Sequence, residues 1–83
     1  MIMEYKELVS KVAYALKDKE EEIALSLKHM EMRYPFSGTI IADLVCDIIY
    51  DEEYGIEDVW TDFGKDEESI FFDALELLES EEV

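Results

Sequence analysis

The sequence predicts an all-α fold, a compact bundle of four to five helices forming one domain over residues 1–83. Three observations lead there. Apolar residues recur at three- and four-residue steps through most of the chain, the strict alternation that a half-buried strand needs is missing, and the proline and the three glycines fall between the periodic segments. A chain of 83 residues can build one hydrophobic core, and 49% apolar with 12% aromatic residues is enough to offset the entropy of ordering it despite a formal net charge of -16.

The first helix is expected over residues 3–17, with Tyr5, Leu8, Val12, Ala15 and Leu16 on one face and Lys6, Glu7, Ser10, Lys11 and Lys17 between them. Asp18 followed by Glu21 has the outline of a capping box and opens a second helix over 19–34. Its inward stripe is read as Ile23, Leu27, Met30 and Tyr34, and Pro35 ends it, because the residue before a proline is disfavoured in the helical region. Ser37-Gly38-Thr39 supplies turn and N-cap chemistry for a third helix over 39–54.

In that third segment Ile40, Ile41, Leu44, Val45, Ile48 and Ile49 recur as pairs every four residues, a spacing only a helix aligns. It is expected to be the central element, with Ile41, Leu44, Val45 and Ile48 innermost and Gly55 ending it in a left-handed cap. A short fourth helix over 56–63 carries Ile56, Val59, Trp60 and Phe63 towards the core and closes at Gly64. Asp66 caps the fifth, over 67–80, whose core side is Ile70, Phe71, Ala74, Leu75 and Leu78.

Charge is distributed unevenly. Residues 1–33 hold seven acids and six bases, a net charge of -1, whereas residues 34–83 hold 16 acids against Lys65 alone, a net charge of -15. Halophilic adaptation would acidify the whole chain, so the asymmetry is local. Asp43, Asp47 and Asp51 stand at i, i+4 and i+8, which places three carboxylates in a row on one helical face at intervals of about 6 Å. Glu52, Glu53, Glu57, Asp58 and Asp62 continue the acidity, and Glu67, Glu68, Asp73, Glu76 and Glu79 add a third line.

Like charges at helical spacing each cost a few tenths of a kcal/mol, so selection for stability alone would intersperse lysines. Phosphates along a nucleic-acid strand have a similar spacing, so such a face can enter a groove built for phosphates. Tyr50 and Tyr54 stand among the acids, where an aromatic ring can cover an arginine stem while carboxylates pair its head. The expected partner-binding set is Asp43, Asp47, Tyr50, Asp51, Glu53, Tyr54, Glu57, Asp58 and Asp62.

Other chemistries find no support in the residues. Counted from Asp51, a calcium loop would place glycine at its fifth position and Asp62 where a glutamate is required, and counted from Asp58 its third position is Trp60. His29 is the one histidine, has no ligand spacing around it, and is expected to be a partly exposed helix residue; Cys46, in an apolar run, is expected to be a buried thiol. No serine sits in a nucleophile elbow and the glycines are too far apart for a phosphate loop, so neither catalysis, a metal nor a cofactor is expected. The absence of a long apolar run and of a signal-peptide pattern at Met1–Glu7 leads to an expected cytoplasmic location without a membrane span.

In size, acidity and expected helicity the chain resembles two kinds of small inhibitor, the nucleic-acid mimics that phages direct against host defence enzymes and the acidic immunity proteins that neutralise nucleases. The likeness carries no motif and transfers no residue roles. It implies an inhibitor or regulator of a basic host or phage protein, of the anti-restriction or anti-CRISPR kind, that does not itself bind nucleic acid. The alternative is a small helical adaptor or homodimeric structural protein whose acidity only maintains solubility.

Overall fold

The computed structural model describes residues 4–51 and 55–81, leaving aside the side chains of Ile56 and Glu81. Five α-helices follow in order, α1 (Tyr5–Leu16), α2 (Glu20–Glu31), α3 (Ile40–Asp51), α4 (Ile56–Phe63) and α5 (Glu67–Glu81), with a 3-10 turn at Phe36–Gly38 and no strand among the described residues. The radius of gyration, 12.2 Å, is close to the roughly 12 Å expected of a compact domain of this length. α1 packs chiefly on α5, α3 lies across both, and α2 rests on α3 and the 3-10 turn.

Leu8, Val12 and Leu16 of α1, Ile41, Val45 and Ile49 of α3, Val59 of α4, and Ile70, Phe71 and Ala74 of α5 form the buried centre. Fully burying side chains of this size contributes about 1.5–3 kcal/mol each, so four helices of modest length hold together through one shared cluster. The α3 phase differs slightly from the sequence expectation: Ile41 and Val45 are fully buried, but Leu44 and Ile48 pack only at the margin, and Ala42 and Ile49 take the inner positions. In α1 the inner stripe includes Val9 and Ala13, while Ala15 lies at its edge.

Phe36 is also buried, stacked on Phe71 with ring centroids 5.0 Å apart, and so plugs the core from the 3-10 turn. Nothing in helical periodicity marks it, because it belongs to no helix. Thr39 caps α3 as its residue type suggests, its Oγ1 accepting from the Ala42 N–H at 3.2 Å and donating to the Phe36 carbonyl at 2.7 Å. Asp66 caps α5 by accepting the Ser69 N–H at 2.8 Å, which holds its carboxyl below the usual carboxylate range.

Four local expectations are corrected. Asp18 and Glu21 form no capping box, since α2 begins one residue later with Lys19 at its N-cap and no side chain bonded there. Leu27 and Tyr34 are exposed, and the residue that α2 buries is Ser26, small enough to bring the helix close to its neighbours. Gly55 does not end α3 in a left-handed cap: its φ is -98°, it opens α4, and its N–H donates to Asp58 Oδ2 at 3.2 Å. Trp60 is 66% exposed, because in a helix of eight residues that buries Val59 the next position is rotated about 100° away from the core.

Two left-handed residues terminate helices. Gly64, at φ 66°, ends α4 without a steric penalty. Arg33, at φ 70°, ends α2, and the Tyr34 N–H donates to the His29 carbonyl while the Arg33 N–H donates to that of Met30. This is a Schellman closure with arginine where glycine is the unstrained choice.

Candidate partner-binding surface

Three buried positions on one side of α3, Ile41, Val45 and Ile49, fix which way the helix turns, and Asp43, Asp47 and Asp51 consequently stand on its outer side, all exposed. Tyr50 follows Asp47 by three residues and is 59% exposed, so an aromatic ring stands beside the carboxylate row. Glu57, Asp58 and Asp62 are exposed on α4, which packs against α3, and extend the acidity onto a second helix. Glu53 and Tyr54, the remaining members of the expected set, lie outside the described residues.

Cys46 reports how these acids are disposed. It is partly buried rather than fully buried as its apolar neighbours suggest, and its thiol is pushed above its ordinary value first by burial, then by the carboxylates of Glu67, Asp43 and Asp47. Glu67, in the first turn of α5, therefore belongs to the same electrostatic neighbourhood as the α3 row. Sequence spacing could not supply this, because 20 or more positions separate Glu67 from Asp43 and Asp47 and only the fold brings them together.

The one base of the second part of the chain is committed elsewhere. Lys65 Nζ lies 3.8 Å from Asp73 Oδ2 and 5.6 Å from the centroid of the Tyr5 ring, while the Tyr5 hydroxyl donates to the same carboxylate oxygen. Burial and the bonded, negatively charged Asp73 push the Tyr5 hydroxyl well above its ordinary value. Among the described residues no ion pair reaches Asp43, Asp47, Asp51, Glu57, Asp58 or Asp62, so no base among them offsets the acidity of this face.

Its acids are spread, not convergent. Among the described residues no group of three or more metal-ligating side chains gathers at one point, and no helix is long and apolar enough to cross a membrane. His29 is partly exposed, its ring meeting that of Tyr34 edge-on at 5.9 Å. Trp60 is the feature that periodicity misplaces. It projects from α4 beside Glu57, its neighbour three residues earlier, and adds a second large aromatic to the acidic region. Comparison with known protein families, with characterised proteins and with solved structures finds no match to the chain.

Proposed function

We propose that the protein is a small inhibitor or regulator that binds a basic, nucleic-acid-binding protein through the exposed carboxylates of α3 and α4, occupying the groove in place of nucleic acid. The observation that carries the reading is the row Asp43, Asp47 and Asp51, exposed and without a counter-charge among the described residues, continued by Glu57, Asp58 and Asp62 while Lys65 is held by Asp73. Such a row repels itself, so it costs stability in the free protein and gains it only against cations. Exposed Tyr50 and Trp60 are the residue types that dominate interface energetics, each able to lie on an arginine whose head pairs with a neighbouring acid.

The partner fitted to this surface presents lysines and arginines spaced to hold successive phosphates. A host restriction or CRISPR-type effector is of that kind, and action inside the cell follows from the same reading. Association is steered over long range and weakens steeply as salt rises. The test is capture from a lysate with and without nuclease treatment, followed by competition, in which the captured partner is titrated with labelled oligonucleotide in the presence of this protein. Mutual exclusion supports mimicry. A ternary complex with unchanged affinity for the oligonucleotide overturns it.

A further inference from the structure

α2 leaves part of its apolar surface uncovered. Ser26 is its only fully buried residue, and Glu22, Ile23, His29 and Met30 flank it on the side facing the bundle. Opposite, Leu25 is 44% exposed, and Met32, the C-cap residue just beyond the last turn of α2, is 58% exposed. With Glu21 and Lys28 they stand at i, i+4, i+7 and i+11, the spacing of a seam along one flank of a helix, about 16 Å long. Among the described residues neither Glu21 nor Lys28 has an ion-pair partner within the chain.

From this we infer that the seam Glu21, Leu25, Lys28 and Met32 is a homodimer interface in which α2 of one copy lies antiparallel to α2 of another. Charge order identifies the occupant. Acids outnumber bases where the region opens (Asp18, Glu20, Glu21 and Glu22 against Lys17 and Lys19) and bases outnumber acids where it closes (Lys28 and Arg33 against Glu31), so the net charge of the segment is complementary to itself when reversed. About a two-fold axis near Leu25, Glu21 faces the other copy's Lys28 and Lys28 faces the other copy's Glu21, while the two Leu25 side chains meet on the axis. The antiparallel arrangement also sets the positive end of each helix dipole beside the negative end of the other.

The rest of the surface directs two copies to the same place. Each carries -16, and residues 34–83 account for nearly all of it, so copies repel wherever their acidic parts approach. The near-neutral first part is where contact is least opposed. Pairing through α2 leaves the outer side of α3 and the whole of α4 outside the seam, so the inference stands whether or not those acids bind a basic partner.

Sedimentation velocity over a dilution series tests it, with circular dichroism confirming that each variant is folded. The protein is expected to pass from dimer to monomer on dilution. Glu21→Lys and Lys28→Glu, each replacing two attractive contacts by two repulsive ones, are expected to weaken the dimer at least tenfold. Mixing the two variants, or combining both changes in one chain, restores attractive pairs and is expected to recover association to within about threefold of the original. Lys6→Glu, the same charge change on α1, is expected to leave it intact. Monomers at every concentration, failure of the mixture to recover, or equal weakening by Lys6→Glu would each overturn the inference.

Discussion

The Tyr5 hydroxyl donates to the Asp73 carboxylate, linking the first turn of α1 to the middle of α5 across 68 positions of sequence. Lys65 reaches the same carboxylate, and the Tyr5 ring also meets Phe63 at 5.5 Å. One side chain thus joins α1, the end of α4, the loop after it and α5.

This contact predicts a specific alkaline weakness. The raised Tyr5 pKa means that the unfolded chain releases the phenolic proton before the folded one does, so the associated stability is complete below the ordinary tyrosine value of about 10 and is lost as pH rises beyond it. Tyr5→Phe should melt lower at neutral pH and lose less stability between about pH 9 and 11, as measured by denaturant titration across that range. Parallel losses in the two proteins would show that Tyr5 does not govern the alkaline limb.

Self-repulsion among the acids of residues 34–83 predicts that added salt raises Tm at neutral pH. Thermal melts from low to moderate sodium chloride provide the measurement. A flat response would mean that the charges are too dispersed to oppose folding.

Core placement predicts a sharp contrast within α3. Ile49→Ala should cost about 2–5 kcal/mol, because Ile49 is fully buried, whereas Asp47→Ala, on the exposed side, should change stability by no more than about 0.5 kcal/mol or raise it slightly. Leu44→Ala should fall between them. Chemical denaturation of the three variants orders them directly.

At the end of α2, Arg33→Gly should raise stability by about 1 kcal/mol, the left-handed conformation costing arginine more than the extra backbone freedom of glycine costs the folded state. Asp66→Ala should lower it by a similar amount, about 1 kcal/mol, through loss of the α5 cap. The Asp66 carboxyl, held low by that cap, contributes stability above the ordinary aspartate value of about 3.9 that is lost as pH falls through its folded value. Acid titration of the two variants beside the parent separates the cap from the strain.

The helices were legible because each carries apolar residues at helical steps between recognisable stops. Thr39, Gly64 and Asp66 act at the helix ends where their chemistry suggests. Phe36 is not marked in the sequence because a lone aromatic in a turn has no period, and the inward phase that spacing suggests for Trp60 fails because a two-turn helix gives too few repeats to fix it. At Asp18 the composition matches a cap but the helix begins after Lys19, so the spacing alone misleads. For the surface, the α3 row was readable from i, i+4 spacing alone, whereas the approach of Glu67 to it depends on how α5 meets α3.

The exposure of Trp60 has a spectroscopic consequence. It is the only tryptophan in the chain and its indole already faces water when the protein is folded. Its emission should therefore sit near the solvent-exposed limit and move little on unfolding, making intrinsic fluorescence a poor gauge of folding. The same indole should shift to the blue or be quenched whenever another molecule covers α4, while an α2-mediated association should leave its colour unchanged. A single emission spectrum thus distinguishes occupancy of one face from occupancy of the other, with no label attached.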